Sequence, residues 1–160
     1  MIPRIKRILY TTDLSDNSAE VFKYAMNSAK RFGAGVIILH VLEPLSPTVN
    51  AITRAYLVEE EIKKISDERS AYVKDLINQR LKRFCEDELE NDPQCADRVE
   101  SIQLRKGFPA EVILSMANEL NCDLVVMGIH GKGINRNTFL GSTSKRVLRR
   151  TRKPVFIIPN

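Results

Sequence analysis

A chain of 160 residues, 43% hydrophobic and 28% charged, is long enough to bury one sizeable core and cramped for two. No stretch approaches the ~18 uninterrupted apolar residues of a bilayer span. The apolar run after the charged opening is cut by Asp13 and Asp16, which argues against a secretory signal and for a cytoplasmic protein.

The first run rich in β-formers, Ile5 to Thr11, predicts a strand. Ser15-Asp16-Asn17-Ser18 then supplies N-cap chemistry for a helix through Phe32, with Ser15 and Asp16 as the natural caps. Ala19, Phe22, Ala25, Met26 and Ala29 fall on one face of it. Gly33-Ala34-Gly35 stops the helix, and Val36-Ile37-Ile38-Leu39-His40-Val41 is a run rich in β-branched residues, the pattern of a strand covered on both faces. Two strands joined by a helix imply a parallel pair with a right-handed crossover.

The segment from Leu45 to Gln94 is too long for a simple connection and too apolar for a disordered one. Ala55, Val58, Ile62 and Ile65, then Tyr72, Val73, Leu76, Ile77, Leu81 and Phe84, recur at helical spacing. This predicts one long or two shorter amphipathic helices, broken near Ser66-Asp67, whose apolar stripe faces either the chain's own core or a partner. Cys85, Cys95 and Cys122 are an odd number at wide spacing, which suits reduced thiols better than a disulfide frame or a zinc site.

Val99 to Leu104 predicts a third strand, Pro109 to Leu120 a helix with proline suited to its first turn, and Leu124 to Gly128 a buried strand. A helix over 142–151 and a last strand, Val155 to Ile158, complete the series. The alternation predicts an α/β fold, an open five-stranded parallel sheet with helices on both faces. A single domain spans 1–160, with a helical insertion at about 46–95.

Between the fourth strand and the last helix lies a glycine ladder, Gly128-Ile129-His130-Gly131, nine residues, then Gly141-Ser142-Thr143. A strand feeding a glycine-rich loop that opens a helix suits a phosphate. Glycine lets backbone N–H groups approach an anion, and the helix N-terminus adds unpaired donors and partial positive charge. The Walker A pattern fails because Gly131-Lys132 is followed by Gly133, and the dinucleotide fingerprint fails at its third glycine. No acidic residue follows Asp123, whereas Lys132, Arg136, Lys145, Arg146, Arg149, Arg150, Arg152 and Lys153 do. The basic charge reads as a solvated helix end or as an electropositive surround for a polyphosphate, with Lys132 or Arg136 nearest it.

The spacing Gly-x2-Gly-x9-Gly-Ser resembles the ATP-binding branch of the universal stress protein family. So do Arg7 to Ser15 as opening strand and loop, His40 to Pro44 as the end of strand two, Gly107 to Ile113 as a turn into a helix, and Cys122 to Gly128 as strand four. The resemblance implies a Rossmann-like sheet of order 3-2-1-4-5 and an ATP site where the strand order reverses. It implies that Thr11, Thr12 and Asp13, at the end of strand one, line the nucleotide site, where Asp13 accepts from ribose hydroxyls or helps hold a Mg2+ or Mn2+ ion on the phosphates. It implies that Val41 lines the base pocket and reads the adenine edge through its backbone, and that Met127 joins the site at the head of the ladder. Gly128, His130, Gly131, Lys132 and Gly133 would form the loop on the phosphates, and Gly141, Ser142 and Thr143 the helix-end cradle. It also implies a homodimer through Val155 to Ile158.

His130 lies inside the loop, yet no Ser, Cys or acid can be placed beside it from sequence, so no catalytic residue is assigned. The function expected is that of an ATP-dependent sensor or adaptor in stress response, in which nucleotide biases loop 129–140 for an unknown protein partner. Slow ATP hydrolysis at the same site is the enzymatic alternative. Nucleic-acid binding through the basic C-terminal region ranks last, since Phe139 and Phe156 are the only aromatics there.

Overall fold

The structure, a computed structural model, describes residues 1–130 and 139–159. Its strands are β1 (Arg7–Thr12), β2 (Gly35–Leu42), β3 (Val99–Lys106), β4 (Leu124–Gly128) and β5 (Val155–Ile158). Its helices are α1 (Ser18–Phe32), α2 (Pro47–Tyr56), α3 (Glu59–Asp87), α4 (Pro109–Glu119) and α5 (Ser142–Arg150). The five strands form one parallel sheet of order β3-β2-β1-β4-β5. The expected fold and strand order both hold.

The consecutive apolar residues at the middle of β1, β2 and β4 are explained by a core on each face. Ile8, Tyr10, Val36, Ile38, Leu124 and Val126 pack in one cluster with residues of α1 and α3. Their neighbours Leu9, Ile37, Leu39, Val125 and Met127 pack in a second cluster with residues of α4 and α5. Since side chains alternate along a strand, burial on both sides requires the unbroken apolar runs seen in β1, β2 and β4. Gly33 ends α1 in the left-handed conformation, φ 65°, which glycine adopts without a Cβ clash.

Three details of the chain differ from the sequence-based expectation. Ser66 and Asp67 do not break the insertion helix, because Ser70 Oγ donates to the Ser66 carbonyl within a continuous α3. The break falls at Leu57–Val58, where Val58 N–H donates to the Glu61 carboxylate at 3.0 Å. The run Glu59-Glu60-Glu61 then places negative charge in the first turn of α3, where the helix dipole favours it.

The second difference is at the start of α1. Its N-cap is Asn17, and Ser15 contributes its backbone carbonyl, which accepts from Ser18 N–H and from Ser18 Oγ. The amphipathic stripe is also divided. α3 buries Val73 and Ile77, whereas α2 buries nothing and leaves Val49, Ile52 and Tyr56 exposed.

The third is a disulfide. Cys85 and Cys95, whose Cα atoms are 5.5 Å apart, are bonded, and Cys122 alone is a free thiol among the described residues. After α3 the chain folds back on itself, with Asp92 N–H donating to Glu88 O and Cys95 N–H to Asp92 O. A largely buried bidentate pair pins the turn, Arg98 Nε and Nη2 to Asp92 at 3.1 and 3.2 Å. The hydrogen bonds from Arg98 hold the Asp92 carboxyl below its ordinary range. Cys122 is fully buried, and burial pushes its thiol up to about 11.

A crosslink of this loop length constrains the unfolded chain by about 2–3 kcal/mol. Reduction should therefore lower the melting temperature by roughly 5–10 °C. Thermal scans with and without a phosphine reductant check it, and the shift should vanish in Cys95→Ser.

Candidate functional site

A cleft of about 370 Å3 opens at the carboxyl ends of β1, β2 and β4. That is where the strand order reverses, the site at which open parallel sheets receive ligands. From β1 and the loop after it come Thr11, Thr12 and Asp13; from the end of β2, His40, Val41 and Glu43. β4 and its exit give Met127, Gly128 and His130, and the start of α5 gives Ser142, Thr143 and Ser144.

The loop after β1 is tightly specified. Asp13 Oδ1 accepts from Ser15 N–H at 3.0 Å and from Ser15 Oγ at 2.6 Å. Thr12 Oγ1 accepts from Leu14 N–H at 3.1 Å. These bonds hold Leu14 at φ 62°, a left-handed conformation that costs a non-glycine residue about 1–3 kcal/mol and concentrates at functional sites. The other carboxylate oxygen, Asp13 Oδ2, is buried and has no hydrogen-bond partner among the described residues. The structure thus holds a ready acceptor at the cleft wall.

Opposite partial charge is supplied by α5. Its first internal hydrogen bond is Lys145 N–H to Gly141 O, so the N–H groups of Ser142, Thr143 and Ser144 precede the helix ladder and lie at its positive end. Ser144 Oγ is 3.1 Å from the carbonyls of both Gly128 and Ile129, tying the helix start to the end of β4. Gly128 is closely approached. A Cβ there would lie 3.3 Å from Val21 Cγ2 and 3.5 Å from the His130 carbonyl.

Two further groups tie β1 to its neighbours. His40 Nδ1 lies 2.8 Å from the Thr12 carbonyl, and since a carbonyl only accepts, this nitrogen carries the proton. Tyr10 OH donates to the Ser18 carbonyl at 2.8 Å, and burial pushes its phenol up to about 12.

Of the expected site residues, the cleft gathers Thr11, Thr12, Asp13, Val41, Met127, Gly128, His130, Ser142 and Thr143. Gly141 is the N-cap of α5, and its N–H is spent on the Ile129 carbonyl at 2.9 Å. Gly131, Lys132 and Gly133, and with them most of the expected loop 129–140 and Arg136, lie outside the described residues. Sequence reasoning missed Arg69, which brings a cation from α3 to the cleft, and Asn17, Glu43 and Ser144. Ser144 follows the recognised Gly-Ser-Thr run directly, but Arg69 sits among many charges of the insertion and carries no local signal. Among the described residues no cluster of three His, Cys, Asp or Glu side chains stands ready for a metal, and the carboxylates that line the cleft are Asp13 and Glu43, of which Asp13 has the open oxygen. That fits an ion held chiefly by phosphates, as Mg2+ commonly is.

The model of the universal stress protein family matches residues 4–159. A universal stress protein of Methanocaldococcus jannaschii is 30% identical over 155 residues, 96% of this chain and 81% of that protein. The solved structure of UspA from Lactobacillus plantarum superposes with a TM-score of 0.73 at 23% identity, covering 98% of this chain and 99% of that one. An Archaeoglobus fulgidus universal stress protein solved in complex with dAMP has a TM-score of 0.56 at 19% identity, covering 99% of both chains. A universal stress protein solved in complex with cAMP has a TM-score of 0.57 at 22% identity, covering 98% of both chains. No helix of the described residues is long and apolar enough to cross a membrane. This chain belongs to the universal stress protein family.

Proposed function

We propose that the cleft holds ATP and that the protein is a cytoplasmic, nucleotide-dependent sensor or adaptor of stress response, read by a protein partner. The observation that carries the reading is the buried Asp13 Oδ2, without a hydrogen-bond partner among the described residues, in the same cleft as the N-terminus of α5. One end of the cleft wants hydrogen-bond donors or a cation, and the other wants an anion. A nucleoside with a polyphosphate tail satisfies both, through ribose hydroxyls or a Mg2+ or Mn2+ ion at Asp13 and phosphate oxygens at Ser142 to Ser144. Val41 and Met127 give the apolar walls a base needs. The complexes of relatives with dAMP and cAMP point to an adenine nucleotide.

The direct test is mass spectrometry of small molecules released on denaturing the purified protein. ATP should be found near one per chain, or after calorimetric titration with MgATP should saturate one site. A protein that releases no nucleotide and gives no heat with MgATP overturns the proposal. Single-turnover kinetics on the complex separate holding from slow hydrolysis.

We further propose a homodimer through the outer edge of β5. This strand pairs with β4 on one side only, among the described residues, and bears Phe156 at 40% exposure. An apolar edge strand left open is a template for pairing. Sedimentation should give a dimer for the native protein and a monomer for Phe156→Lys. A native monomer at micromolar concentration sinks the idea.

A further inference from the structure

A second cavity, of about 440 Å3, lies between α1 and α3 beside β1. It is distinct in character from the cleft. Tyr10, Phe22 and Ile77, each less than a tenth exposed, with the partly buried Leu81 and Phe84, give it apolar walls. The rings form a connected row, Tyr10 to Phe22 at 5.2 Å and Phe22 to Phe84 at 4.8 Å between centroids.

Arg80 brings a guanidinium to these walls. Its Nη1 is 3.3 Å from Ser18 Oγ and 3.5 Å from the Leu14 carbonyl, and no carboxylate of the described residues forms an ion pair with it. A guanidinium has five N–H donors in a fork that matches a carboxylate, so most of its capacity is open. The remaining charges at the lining are Lys23, which pairs with Glu20, Arg83, and the acids Asp16 and Asp87. With Lys23 spent on Glu20, Arg80 and Arg83 stand against Asp16 and Asp87, so the lining offers no electropositive surround for a polyphosphate, and the open donors of Arg80 are what a single carboxylate would meet.

We propose that this cavity binds a fatty acid of medium chain length, its alkyl tail between α1 and α3 and its carboxylate on Arg80. The volume lies in the ordinary range of small-ligand sites, and an apolar wall with one charged group to fix orientation is their usual make-up. Thr12, Ser15 and Ser18 line both this cavity and the nucleotide cleft. The bound acid therefore sits against the far side of the loop that carries Asp13. Binding of the acid itself does not rest on the ATP reading.

Titration of the full chain with decanoate, below its micellar concentration, tests the site by calorimetry and by amide NMR shifts. One saturable site is expected, with shifts grouped at residues 14–23 and 77–87. Arg80→Leu, and decanol in place of decanoate, should each weaken binding at least tenfold, as loss of a charge-assisted pair implies. Leu81→Trp should fill the cavity and abolish binding. Absence of saturable binding, equal affinity for decanol, unchanged affinity in Arg80→Leu, or shifts confined to the nucleotide cleft would each overturn the proposal. Should Leu81→Trp lose its fold by circular dichroism, the Arg80 and decanol arms still decide.

Discussion

Asp13→Asn should lose about ten- to a hundredfold in MgATP affinity while keeping its melting temperature within a few degrees. The two carboxylate oxygens do different jobs. Oδ1 accepts both the backbone and the side-chain bond of Ser15, and the asparagine amide oxygen can continue to do so. Oδ2 has no hydrogen-bond partner among the described residues, and asparagine puts an NH2 group there, unable to bind a cation or to accept a ribose hydroxyl. A hydrogen bond to a charged group contributes about 1.5–3 kcal/mol, which converts to roughly ten- to a hundredfold in the dissociation constant. Were Asp13 only a turn former, asparagine would serve equally, as it does at helix caps. Calorimetry therefore separates the roles, and unchanged affinity in Asp13→Asn would remove Asp13 from the ligand site. Asp13→Ala also breaks the Ser15 bonds and releases the loop that holds Leu14 left-handed. It should lose affinity and local order together.

Local and long-range causes divide what the residue pattern carries from what it does not. β1, β2 and β4 are buried on both faces at their middle, so each had to carry consecutive apolar residues there, and alternation with helices then required a parallel sheet. Asp13 and Ser142 follow strand ends, and in an open parallel sheet strand ends define the cleft. Order 3-2-1-4-5, by contrast, came from family resemblance, because periodicity says nothing about which strands are neighbours. In the insertion, Ser66-Asp67 looked like a break since both residues compete with the helix for backbone partners. Within α3 the Ser70 hydroxyl instead bonds the Ser66 carbonyl, and Glu61 anchors the true start. The Cys85–Cys95 bond depends on the chain folding back between Asp87 and Ala96, fixed by Arg98 and Asp92. Arg69 reaches the cleft only because α3 runs beside β3. Neither the crosslink nor the cation has a signature in residue spacing.

Leu9→Ala is expected to lower the stability of the fold by about 3–5 kcal/mol, and the melting temperature by roughly 6–20 °C. Leu9 is wholly buried and lies on β1, the central strand, opposite Ile37 of β2 and Val125 of β4. Its side chain belongs to the cluster completed by α4 and α5. Truncation leaves a void that a strand hydrogen-bonded on both sides cannot collapse into, so the cavity cost adds to the lost transfer energy. Leu45→Ala, at 49% exposure, should change stability by less than about 0.5 kcal/mol, and Leu9→Met by less than about 1.5 kcal/mol. Urea titration of the three variants checks the series, and a Leu9→Ala loss below about 1 kcal/mol would mean that this face of the sheet is not close-packed. The cleft responds differently to the same change. Thr11 to Asp13 are placed by the backbone ladder of β1 with β2, which runs to Thr12 opposite His40, and by the hydrogen bonds of the loop itself. Leu9→Ala should therefore retain MgATP affinity within a few-fold wherever the folded state is still populated. Asp13→Asn should show the reverse pattern, with affinity lost and stability kept.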